Sequence, residues 1–140
     1  MNNVIYGGKG ADLMTGGGGS NKFRFKLSDG LNQGDVITDF SPGSDTIRVE
    51  GVSRNSLAAK AFDGNKRLRG GRARSAVQVV DILDSADRSK AVFIYAQLTG
   101  ELAYNSNGGG RGFGRDGGVI ATLPVLLPFG ARDIQLAYGS

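Results

Sequence analysis

Two glycine-opened nonapeptides stand back to back near the start of this 140-residue chain. They read Gly7-Gly8-Lys9-Gly10-Ala11-Asp12-Leu13-Met14-Thr15 and Gly16-Gly17-Gly18-Gly19-Ser20-Asn21-Lys22-Phe23-Arg24. Counting nine residues back places Asn3 in the slot of Asp12 and Asn21, and Ile5 in line with Met14 and Phe23. Glycine permits a tight turn with positive φ, and the residues around each large apolar side chain make a short strand. No such turn buries enough apolar area alone, so a chain of this pattern must stack its turns. Two nonapeptides complete one coil, and each polar slot then faces its counterpart two repeats on.

Beyond Phe23 the period shortens to two. Phe23, Phe25 and Leu27 alternate with Lys22, Arg24 and Lys26, which is the pattern of a half-buried strand. A polar loop at 28–34, the run Asp35-Val36-Ile37-Thr38-Asp39-Phe40 and a turn at Ser41-Pro42-Gly43-Ser44-Asp45 follow, with Asp45 read as a turn residue. Thr46 to Glu50 alternates again. Residues 53–63 can hold one short helix, capped by Ser53 or Asn55. Strands are expected at 77–83, 91–95, 102–104, 119–123 and 131–138, with a hairpin turn at Thr99-Gly100-Glu101. The fold class is therefore all-β.

Composition removes several functions. The chain has no cysteine and no histidine, so disulfides, thiolate chemistry, imidazole metal sites and histidine-based acid–base catalysis are excluded. Carboxylates are present, but no motif gathers an acid, a base and a nucleophile, and the expectation is a non-catalytic protein. Neither glycine cluster has the spacing of a phosphate loop. Arg111-Gly112-Phe113-Gly114 echoes an RNA-binding strand, but Arg115-Asp116-Gly117 breaks that motif, so nucleic acid is not the expected partner. No stretch nears the roughly 18 apolar residues of a membrane helix. Met1-Asn2-Asn3-Val4 lacks the basic start and apolar run of a secretory signal. That leaves a C-terminal export signal, residence inside the cell, or a fragment.

Net charge is +4, and its excess is local. Residues 54–74 carry Arg54, Lys60, Lys66, Arg67, Arg69, Arg72 and Arg74 against Asp63 alone. A solvated loop is the simplest reading of this stretch. A docking surface for an acidic protein partner, through Lys60, Lys66, Arg67, Arg69, Arg72 and Arg74, is the next.

The ordered combination resembles a known family. Two glycine-rich nonapeptides, an alternating aromatic strand, Gly34-Asp35-x-Ile37-x-Asp39-Phe40 and Pro42-Gly43-x-Asp45-x-Ile47 are similar to the calcium-binding β-roll of repeats-in-toxin (RTX) proteins. In particular they resemble the C-terminal domain of serralysin-type proteases, and Phe93-Ile94-Tyr95, Thr99-Gly100-x-Leu102-x-Tyr104 and Ala121-Thr122-Leu123 extend the likeness. The resemblance implies a short parallel β-roll (1–50) continuing into an antiparallel β-sandwich (51–140), as a single domain. It also implies export by a type I system to the outside of the cell.

Its implied ligands for calcium are Asp12, the carbonyls near Gly8 and Gly10, and Asp39, with Asp35, from the adjoining segment. Asn3 and Asn21 fill the opposing slot, where an amide oxygen brings no charge, so calcium there is weak or absent. Asn105 and Asn107 stand where the family has acidic residues. Fewer carboxylates also mean less self-repulsion without metal, and a chain that folds with little calcium is expected. The alternative function is a calcium-independent structural subunit, docked through its basic loop onto an acidic assembly and resident in the cytoplasm.

Overall fold

A computed structural model describes residues 2–52, 77–83, 91–106, 113 and 117–138. The short helix expected at 53–63, the basic loop 54–74 and Asn107 lie outside the described residues. The strands are β1 (Val4–Tyr6), β2 (Leu13–Met14), β3 (Lys22–Lys26), β4 (Val36–Ile37), β5 (Thr46–Val52), β6 (Val77–Val80), β7 (Phe93–Ala96), β8 (Glu101–Tyr104), β9 (Gly118–Thr122) and β10 (Ile134–Tyr138). Short 3-10 turns occur at Leu27–Asp29 and Ala131–Asp133. The fold is all-β.

The strands form two sheets, ordered β1-β3-β5-β10 and β2-β4-β9-β8-β7-β6. Successive turns of the N-terminal repeat deliver strands alternately to the two sheets, as the nonapeptide period requires. The first coil is 18 residues long, from Val4 to its partner Lys22, and the next is 24, from Lys22 to Thr46. The loop at 28–34 supplies the extra length. After β5 the chain leaves the roll for β6–β9, then returns with β10 lying parallel to β5, Ile134 opposite Ile47.

The first sheet is thus parallel from β1 to β10. Among the described residues antiparallel pairing is confined to β7-β8-β9 in the second sheet, whose β9 lies parallel to β4. The sandwich expected after residue 51 is therefore built by lengthening the roll's own sheets.

Glycine has two separable jobs in each repeat. Gly8 and Gly10, like Gly17 and Gly19, have φ between 77° and 87°, the left-handed region that side chains avoid. Gly7 and Gly16 open their turns for a different reason. A Cβ there would lie 2.7 Å from Asp12 Oδ2 or from Asn21 Nδ2. The slot side chain folds over the bare Cα of its own turn, which couples the first glycine to the sixth residue.

One apolar cluster takes side chains from both sheets, among them Met14, Phe23, Ile37, Ile47, Tyr95 and Leu102, with Ile5 partly buried against it. Aromatic rings cross it in series: Phe23 to Phe40 at 6.1 Å, Phe40 to Phe129 at 5.7 Å and Phe129 to Tyr95 at 5.4 Å. The Tyr95 hydroxyl donates to the Pro124 carbonyl at 2.5 Å and accepts the Leu127 N–H, so its polar tip is satisfied inside. β7 is buried on both faces, because Ile94 and Ala91 pack under Val80, Leu83 and Phe113 on the far side. No helix among the described residues is long and apolar enough to cross a membrane.

Candidate metal centre

The turns joining the two sheets stack into two columns along opposite borders of the roll. One column holds residues 7–12 and 27–35, and the other holds 15–21 and 38–45. In the first column Leu13 pairs with Val36, which sets the preceding residues Asp12 and Asp35 in register. Asp35 Oδ1 accepts the Asp12 N–H at 2.8 Å. Asp12 Oδ2 is buried and has no hydrogen-bond partner among the described residues. A small cleft on the Asp35 side is bounded by Gly7 and Gly8 on one turn and by Asp29, Gly30 and Asp35 on the next, and Asp12 does not line it.

Charge makes this pair uncomfortable without a cation. Burial pushes the Asp35 carboxyl above its ordinary pKa, and the adjacent Asp12 charge adds to the rise, against the opposing pull of the Asp12 N–H. An uncompensated buried oxygen beside a desolvated carboxylate is an arrangement that a hard cation relieves. Among the described residues no three acidic side chains converge into a metal cluster. Two carboxylates completed by neutral oxygens would fit a calcium ion held by few charges. Arg24 and Lys26 line the same cleft and lie over the Tyr6 ring, at 5.2 and 4.8 Å, and their charge opposes a divalent cation. The Tyr6 hydroxyl donates to Asp29, which raises the tyrosine pKa.

The pH response follows from Asp35. Its raised folded pKa means that the folded chain holds this proton more tightly than the unfolded chain does. In chelator, the stability contributed by protonated Asp35 is present below the ordinary carboxylate pKa and is lost as pH rises through the folded value. Cation binding needs the ionised form, so calcium affinity should climb across that same window. Calcium titrations at a series of acidic pH values check this; an affinity flat through the carboxylate range contradicts it.

The second column is chemically different. Val4, Lys22 and Thr46 are in register, so Asn3, Asn21 and Asp45 line up before β1, β3 and β5. Asn21 Oδ1 accepts the Asn3 N–H at 3.1 Å, and Asp45 Oδ1 accepts the Asn21 N–H at 2.9 Å. Asp39 belongs here too: its carboxylate accepts the Gly16 and Gly17 N–H groups at 2.9 and 2.8 Å. Of the two partners expected for Asp12, Asp39 with Asp35, the fold therefore does not bring Asp39 to it. Asp35 takes that place, because it immediately precedes the strand that pairs with β2. Gly8 and Gly10 sit in the Asp12 turn as expected, and the Gly10 N–H donates to Gln33. Asn105 is buried, with Nδ2 donating to the Ala91 carbonyl at 2.8 Å.

Residues 2–23 match the family model described as RTX calcium-binding nonapeptide repeat (4 copies). The N-terminal turns are an RTX repeat module. Its repeats are of the calcium-binding type; Asp12 lies within the matched residues and Asp35 beyond them. No curated protein matches the chain.

Two contributors escaped the sequence reading. Asp45 has the turn role expected of it, accepting the Ser41 N–H at 2.9 Å, but also the inter-coil bond to Asn21. Asp133 is 1% exposed and accepts the Gly43 and Gly130 N–H groups at 2.8 and 2.9 Å. The available signal was position: each is an acidic residue directly before a strand, as Asn3 and Asn21 are amides before theirs.

Proposed function

We propose that the chain is a non-catalytic calcium-binding module of the RTX type, its calcium chemistry weakened to one site between turns 7–12 and 29–35. The observation that carries this reading is Asp12 Oδ2, buried without a partner in register with a desolvated Asp35. Asp12 and Asp35 would supply the charge, with carbonyls of the glycine turns completing the shell. Bound calcium would neutralise the carboxylate pair and tie the first coil to the second. Cysteine and histidine are absent from the sequence, which supports a binding role over a catalytic one.

Two carboxylates and neutral oxygens belong at the weak end of calcium sites, with Kd of about 10⁻⁴–10⁻³ M. Such a site fills outside cells, which agrees with an exported module; type I export is the route the repeats suggest. Calorimetric titration of the chelator-treated protein is expected to give one equivalent of calcium in that range. No binding, and no change in melting temperature at calcium well above it, would refute the reading.

A further inference from the structure

The neutral residues of the second turn column look like calcium ligands that were lost. Their hydrogen bonds say otherwise. We infer that Asn3, Asn21, Asp39, Asp45 and Asp133 form a metal-free spine, in which side-chain oxygens hold consecutive coils together and calcium is excluded. The confinement of calcium to the Asp12 column rests on the proposed function; the spine itself does not.

A cation site needs several oxygens with free lone pairs aimed at one point. In this column every carboxylate oxygen accepts at least one N–H, which leaves it fewer lone pairs for a cation than the Asp12 carboxylate has. Asp39 Oδ1 and Oδ2 take Gly16 and Gly17. Asp45 Oδ1 takes the backbone of Asn21 and, at 3.3 Å, its side-chain amide, while Oδ2 takes Ser41. Asp133 Oδ1 and Oδ2 take Gly43 and Gly130. Converging N–H dipoles present positive ends, so this column suits anionic side chains and repels a metal ion. In the other column Asp12 Oδ2 accepts nothing from the described residues.

These bonds also run from coil to coil. Asp45 reaches back to Asn21, and Asn21 reaches back to Asn3. Asp39 reaches back to Gly16, and Asp133 reaches back to Gly43 across 90 residues of chain. Asn21, Asp45 and Asp133 are at most 3% exposed, so water competes weakly for them.

Asparagine at 21 is then the chemically required residue. Its Oδ1 accepts from Asn3 while its Nδ2 donates to the Gly17 carbonyl at 3.2 Å and to Asp45. An aspartate there would lose both donated bonds and set its charge against the Asp45 carboxylate.

The test is therefore Asn21→Asp, which restores the residue type of the Asp12 slot. A lost-ligand view expects it to gain calcium. The spine expects a melting temperature in chelator lower by about 5 °C and calcium stoichiometry equal to that of the wild type. Asp45→Asn should lower the melting temperature equally in chelator and in calcium, leaving the calcium-induced shift intact. An extra equivalent of calcium in Asn21→Asp, or an unchanged chelator melt in Asp45→Asn, overturns the inference. Should either variant fail to fold, hydrogen exchange on the wild type in chelator decides. Slow exchange at the Gly16, Gly17 and Asn21 amides supports the spine, and rapid exchange there overturns it. A wild type that binds no calcium ends the proposed function, yet the chelator melts and the exchange data still test the spine.

Discussion

Asp12→Asn is expected to remove half or more of the calcium-dependent gain in thermal stability while leaving the melting temperature in chelator unchanged or slightly higher. The substitution keeps the side chain's shape over Gly7, whose missing Cβ makes the room for it. What it deletes is charge, at the one buried side-chain oxygen without a partner among the described residues. Calcium at a hundredfold excess over Kd stabilises a folded protein by about 2.7 kcal/mol. At about 3 °C per kcal/mol for a chain of this size, that is a shift of about 8 °C. Losing one of two charged ligands should weaken affinity at least about tenfold, or about 1.4 kcal/mol, and so remove half or more of the shift. Without metal the same change relieves Asp35 of a neighbouring negative charge, and the Asp35 pKa should fall toward its ordinary value. Differential scanning calorimetry in chelator and in calcium measures both sides. A chelator melt lowered as much as the calcium melt would make Asp12 a structural residue only.

The glycine frame and the inward residues were readable because they repeat. Ile5, Met14 and Phe23 recur every nine positions, and the stacked fold buries Met14 and Phe23 and packs Ile5 against the core. Strand pairing carried no such signal. Nothing local to 134–138 announces that it will lie parallel to β5 after so long an excursion; that choice is made by burial of Ile134 and Leu136 beside Ile47 and Val49.

The site was legible in part for a related reason. Asp12 stands inside the period, and its role as the charged slot is clear from spacing. The loop at 28–34 breaks the count, so spacing alone could not choose between Asp35 and Asp39. Register decided it, since the residue immediately before β4 must stand beside the residue immediately before β2. Four positions later, at Asp39, the chain has already crossed β4 and entered the other column. The outer face shows the same dependence on register. Arg24 on β3 forms a bidentate pair with Glu50 on β5, at 2.8 and 2.9 Å, and Arg48 joins the same carboxylate. The Arg24 guanidinium leads in holding Glu50 below its ordinary pKa. These partly exposed pairs add little stability each, but they offset charge along a face where Lys22, Arg24, Lys26 and Arg48 gather.

Phe23→Ala should have the largest effect on folding, a loss of about 3–5 kcal/mol. Phe23 is fully buried and begins the series of rings that runs through Phe40 and Phe129 to Tyr95. That series starts on β3 of the first sheet and ends on β7 of the second, so the truncation opens a cavity where the sheets are joined. Domains of this kind have about 5–15 kcal/mol in total, and the loss takes a large share. It also reaches the spine, because Phe23 lies two residues after Asn21 and fixes the start of β3. A calcium ion bound by the folded state alone would, at a hundredfold excess over Kd, return about 2.7 kcal/mol. The variant should therefore unfold at much lower urea in chelator and recover only part of the difference in calcium. Its apparent calcium affinity should fall in proportion to the folded fraction, although no ligand has changed. Urea titrations with and without calcium read both effects. A loss below about 1 kcal/mol, outside the range for a buried phenylalanine, would mean that the two sheets do not share one core.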